Sequence, residues 1–180
     1  MSESLLNRIQ SHLSATRATL RFPACGEVHV DAEEKILGFK IHPFLTSLYL
    51  TVGNGGFGPG YGIIGVSGGH ESDLGTLART YRQLQEGSAY FGDEWSEGLL
   101  PFCGWGCNIF SCVDCLGDNA TVYQSEECRE FRMNYSLEDF MEMWLAGVSI
   151  LDQLGKTRGR IKAIDPVTGQ RFALFGRRRA

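Results

Sequence analysis

The hydrophobic period of this 180-residue chain changes at Leu99, and that change restricts the fold more than any single residue does. Up to Leu84 the apolar residues recur mostly at helical spacing, and from Leu99 to Gln124 they run in short strand-like segments. A helical stripe has to bury one side against a partner, and a strand has to find a neighbour for its backbone groups. Helices gathered in one part of a chain and strands in another predict an α+β domain, not an alternating parallel one.

The spacing predicts a first helix over about Ser4 to Thr16, with Leu5, Leu6, Ile9 and Leu13 on one stripe. A short strand is expected around Leu20 to Phe22. In VDAEEKILGF, Asp31 and Glu34 stand in capping-box relation and Gly38 supplies a left-handed stop, which predicts a short helix. Pro43 suits the first turn of the next helix, which carries Phe44, Leu45, Leu48, Tyr49 and Val52 and is closed by Gly53. GIIGVS (62–67) reads as a short strand. Ser72 or Asp73 is the expected start of a helix with Leu74, Leu77, Ala78, Tyr81 and Leu84 facing inward.

From Leu99 the segments LLPF, CNIFSCVD and ATVYQ read as strands of an antiparallel meander. Ser136 and Asp139 then form a capping box for a helix carrying Leu137, Phe140, Met141, Trp144, Leu145 and Val148. Two last runs, RIKAI and QRFALF around DPVTG, predict a C-terminal hairpin. The expected organisation is a main domain over 1–151 and a basic extension over 152–180.

The N-terminal MSESLLNRIQSHLSATR has no continuous apolar run of the kind an export signal needs, and no later segment reaches the ~20 apolar residues of a bilayer span. The expected location is therefore the cytosol, and the six Cys are expected to be reduced thiols. The net charge of −4 is unevenly spread. No Lys or Arg occurs between Arg82 and Arg129, a stretch that carries Asp93, Glu94, Glu97, Glu126 and Glu127 among its carboxylates. These five are the candidate partner-binding residues, because loop-borne carboxylates steer a basic partner. From Asp152 onward basic residues dominate, but no aromatic residues alternate with the terminal Arg177-Arg178-Arg179 run, so nucleic acid is not the expected partner.

Three chemical readings fail on spacing. The loop GNGGFGPGYG (53–62) lacks the Lys of a phosphate cradle, follows a helix and precedes a strand, so its glycines are expected to serve a tight connection. Cys103, Cys107, Cys112 and Cys115 are spaced x3, x4 and x2. With Cys107 and Cys112 on one strand they would point to opposite faces, so no zinc or other metal site is expected. His12, His29, His42 and His70 are scattered, and His70 is expected to be a solvated loop residue, so neither a catalytic residue nor a cofactor is assigned.

Two blocks, GFKIHPFLTSLYLTVGNGGFGPGYGIIGV (38–66) and LLPFCGWGCNIFSCVDC (99–115), followed by SLEDFMEMWLAG, together resemble the SUKH superfamily. That superfamily includes bacterial immunity proteins and the yeast Knr/Smi cell-wall synthesis regulators. The positions carrying the resemblance are Asn54, Gly55, Gly56, Gly58 and Pro59 in the loop, Trp105, Gly106 and Asp114 in the second block, and Trp144 in the helix. The resemblance implies a central, mostly antiparallel sheet packed by helices, and a function in neutralising toxins, often nucleases, by direct binding. Physically these positions read as framework: glycines in a tight turn, Asp114 capping a loop, Trp144 filling the core. The expected function is non-enzymatic protein binding, with a basic toxin domain as partner. The alternatives are a housekeeping scaffold related to the cell-wall regulators and, less favoured by the residues, a Cys- or carboxylate-dependent enzyme.

Overall fold

A computed structural model describes residues 4–16, 22–90, 94–117, 119–126, 129–150, 162–164 and 171–173. It divides into two compact units, Met1–Val148 and Ser149–Ala180. In the first, four helices precede the sheet: α1 (Leu5–Ala15), α2 (Glu27–Leu37), α3 (Pro43–Thr51) and α4 (Leu77–Tyr90). An antiparallel meander follows, β1 (Leu99–Gly106), β2 (Ile109–Asp114), β3 (Thr121–Glu126) and β4 (Arg129–Ser136), in the order β1-β2-β3-β4. Helix α5 (Leu137–Leu145) leaves the sheet directly from β4. The α+β class expected from the change of period is the observed one. In the second unit, β5 (Lys162–Ile164) pairs antiparallel with β6 (Arg171–Ala173), as the C-terminal hairpin requires. Its DPVTG turn, and Leu20 and Arg21 of the expected early strand, lie outside the described residues.

Strand β2 is buried from Phe110 to Val113, so both faces of the sheet are covered. Ser111 and Val113 pair with Gln124 and Val122 on one face, and Phe110 and Cys112 pair with Ser125 and Tyr123 on the other. Helix α5 packs on β3 and β4, and Phe140 meets Phe102 edge-to-face with ring centroids 4.9 Å apart. Its capping box forms as the sequence predicts: Ser136 Oγ accepts from Asp139 N, and Asp139 Oδ2 accepts from Ser136 N. Arg8 grips Glu142 through both guanidinium nitrogens, which ties α1 to α5. Both side chains are partly exposed, so this pair contributes only about 0.2–1 kcal/mol.

Four local expectations are corrected, and one strand is added. Helix α2 starts at Glu27, with Gly26 at its N-cap, so Asp31 lies inside the helix and caps nothing. Burial of Val30 extends the helix upstream, and Glu34 instead accepts from the backbone N of Ile41 beyond the Gly38 stop. GIIGVS contributes a single bridge, Ile63↔Cys103, and no strand ladder. Helix α4 begins at Leu77, because Ser72 and Gly75 pair in a turn and Ser72 Oγ accepts from Leu74 N. Cys107 is no strand residue: with Asn108 it forms a two-residue turn at positive φ between Gly106 and Ile109. Strand β4 is an addition, although Phe131, Met133 and Tyr135 alternate with Arg132 and Asn134 as a half-buried strand should.

Candidate functional site

The glycine-rich loop follows α3 and is held at both ends by buried polar groups. Tyr49, fully buried on α3, donates its hydroxyl to the carbonyl of Ile64 at 2.7 Å, and burial raises its pKa well above the usual phenol value. Asn54 is 3% exposed; its Oδ1 accepts from Val66 N at 2.9 Å and its Nδ2 donates to Ser67 O at 3.3 Å. Its own carbonyl accepts from His70 N. An amide side chain that offers both donor and acceptor can thus fasten two loop passes that share no strand pairing.

The loop then lies on β1. Tyr61 N donates to Gly104 O, Ile64 N donates to Phe102 O, and the Cys103 thiol donates to Pro59 O at 3.3 Å. Contact is close on both sides. A Cβ on Gly60 would lie 2.8 Å from the Trp105 ring, and one on Gly106 would lie 2.7 Å from the Tyr61 ring. Trp105 continues inward by donating to Ser111 Oγ, which donates to Gln124 Oε1.

Asn54, Gly55, Gly56, Gly58, Pro59, Trp105 and Gly106 therefore meet in one joint, although nearly fifty residues separate its two halves in sequence. Asp114 lies away from it, at the end of β2, where its Oδ1 accepts from Leu116 N and Gly117 N as the expected loop cap. Trp144 is half-buried and does not fill the core. Its ring packs against His12 at 5.1 Å and Phe57 at 6.4 Å, because it stands on the last turn of α5 beside α1.

Beside the joint a cleft of about 430 Å³ opens between the loop, residues 70–73 and the β1–β2 turn. Gly62, Ile64, Gly104 and Phe110 are its buried lining, while Tyr61, Glu71, Asp73, Cys107 and Asn108 are exposed around it. His70 also lines it and is a strut, not the solvated residue expected from sequence: its Nε2 lies 2.9 Å from Tyr61 O, and its ring faces Phe22. A carbonyl only accepts, so Nε2 donates in this contact.

The predicted acidic residues are distributed less simply. Glu94 and Glu97 are exposed on the segment leading to β1, and Glu126 is half-buried at the end of β3; Asp93 and Glu127 lie outside the described residues. Glu130, which sequence reasoning passed over, accepts from both Ser96 N and Ser96 Oγ. That contact ties the segment carrying Glu94 and Glu97 to the β3–β4 end of the sheet, since Glu130 stands opposite Ser125.

Among the described residues no group of three or more His, Cys, Asp or Glu is placed to hold a metal ion. Cys25, Cys103, Cys107, Cys112 and Cys115 are free thiols. Burial pushes the thiols of Cys103 and Cys112 far above the ordinary value, and that of Cys115 to about 12. The thiolate is the reactive form, so native-state alkylation at pH 8 should mark exposed Cys107 first and spare Cys103 and Cys112. Peptide mapping by mass spectrometry checks this; early labelling of Cys103 would contradict the packing. The same shift has a stability consequence. A thiol whose folded pKa is raised contributes stability below its unfolded value of 9.0, and that stability falls as pH rises towards 12.

No protein-family model matches the chain, and no curated protein or solved structure matches it either.

Proposed function

We infer that this chain is a non-enzymatic protein-binding domain of the SUKH kind, an immunity protein that neutralises a cognate bacterial toxin by direct contact. The observation that carries the reading is the joint itself. The two sequence blocks that bear the resemblance close on each other through Tyr61–Gly104, Ile64–Phe102 and Cys103–Pro59 hydrogen bonds. A loop fixed in this way presents its exposed residues at low entropic cost, which favours tight association with another protein.

The exposed Glu94 and Glu97 suit a basic toxin domain, for instance a nuclease, and leave nucleic acid itself a poor ligand for that surface. No described helix is long and apolar enough to cross a membrane. The reading needs neither a cofactor nor a catalytic residue. The raised thiol pKa values at Cys103, Cys112 and Cys115 weigh against a cysteine nucleophile at those positions.

The test is co-expression with the toxin encoded by the neighbouring gene. Growth is expected to recover, and the purified pair is expected to co-elute. Exchanging Glu94 and Glu97 for Lys should slow association severalfold and flatten its salt dependence, as measured by stopped flow. Failure of the wild-type chain both to rescue and to bind would overturn the reading.

A further inference from the structure

The cleft beside the joint combines two kinds of surface that suit one kind of occupant. Its buried lining is apolar or backbone: Ile64 and Phe110 with Gly62 and Gly104. Its exposed margin carries the carboxylates of Glu71 and Asp73 and the ring of Tyr61, which is 68% exposed. Among the described residues no Lys or Arg lines it, and neither Glu71 nor Asp73 makes a hydrogen bond or an ion pair. An occupant with an apolar stem and a cationic head would cover the floor and neutralise the margin together, as long basic side chains do when they lie along apolar surface.

We propose that this cleft receives an arginine side chain of the partner protein, with its stem over Ile64 and Phe110 and its guanidinium between Glu71, Asp73 and the Tyr61 ring. Arginine fits better than lysine because a planar fork serves two carboxylates and also stacks on an aromatic face. The walls are already set: His70 is pinned by Tyr61 O and Asn54 O, and the far side is the Cys107–Asn108 turn. The proposal rests on the protein-binding reading above and names the chemistry that one part of the surface selects.

The probe is a short peptide, acetyl-Gly-Arg-Gly-amide, titrated into the full-length ¹⁵N-labelled chain, with lysine and citrulline versions alongside. Saturable shifts are expected at the amides of Tyr61, Gly62, His70 to Asp73 and Asn108, weaker with lysine and absent with citrulline, which has the same shape without the charge. Glu71→Gln with Asp73→Asn, both exposed and without structural bonds, should weaken arginine binding at least tenfold. Equal shifts from the citrulline peptide, or none at these amides, would overturn the proposal. So would movement of the Arg177, Arg178 and Arg179 signals in the double variant without peptide, which would make the chain's own basic end the occupant. The rescue assay separates this proposal from the immunity reading. Wild-type rescue with undiminished rescue by the double variant removes the cleft alone. Peptide binding by a wild-type chain that neither rescues growth nor binds the toxin keeps the cleft and removes the immunity reading.

Discussion

Gly55→Ala is expected to lower the unfolding free energy by about 2–5 kcal/mol, the sum of a left-handed backbone penalty and forced overpacking. Gly55 has φ +79°, and a Cβ there would lie 2.5 Å from Ile63 O and 2.7 Å from Gly65 N. Both neighbours are backbone, so neither can swing aside. Ile63 O also accepts from Gly56 N at 2.8 Å, so pushing it away breaks the turn that brings the loop onto β1. Gly38→Ala is the control: φ is +87°, but no atom lies within 4 Å of the added Cβ. That variant should lose only about 1–2 kcal/mol, the conformational part alone. Urea unfolding of both variants, with unchanged m-values, measures the difference directly. Equal losses would show that close backbone approach does not govern this loop.

Glu33→Ala is expected to cost about 3 kcal/mol, since a buried charge-assisted hydrogen bond is lost and a backbone donor is left unpaired. Glu33 is 2% exposed on α2, and its Oε2 accepts from Ala78 N at 2.7 Å and from Thr76 Oγ1 at 3.3 Å. It is the N-terminal cap of α4, supplied by a different helix. Leu77 N, the preceding donor, goes to Gly65 O of the glycine-rich loop. The start of α4 is thus held from two sides, and its register on β1 depends on both. Glu33→Gln keeps the volume and one accepting oxygen, so it should lose roughly half as much. Hydrogen exchange at Ala78 should accelerate in the alanine variant more than in the glutamine one; an unchanged rate would remove Glu33 from this role.

Much of the fold is legible before any coordinates. The Ser136–Asp139 capping box, the Pro43 start and the Gly38 stop follow from local rules and occur, and of the stripe Leu74, Leu77, Ala78, Tyr81 and Leu84 all but Leu74 lie buried on α4. Strand β4 is legible too, in the alternation of Phe131, Met133 and Tyr135 with Arg132 and Asn134. The Asp31 capping box was a misleading local match: its residues have the right spacing, yet burying Val30 lengthens the helix upstream and absorbs them.

The candidate site was legible only in halves. Sequence marked Asn54 to Pro59 and Trp105-Gly106 as framework without relating one to the other, and passed over Glu71, Asp73 and Phe110. His70 reads as a loop residue until Tyr61 O is placed 2.9 Å from its ring.

Features that depend on residues close together along the chain can be read without a structure: helix stripes, caps, turn residues and the change to period two. Those signals act through neighbouring backbone and need no distant partner. Contacts between segments far apart in the chain arise only on folding: the Glu33 cap of α4, the Asn54 staple, the Gly60–Trp105 approach and the cleft they leave. Each is a matter of buried donors and acceptors finding partners across space, and that pairing is fixed by packing, not by order along the chain.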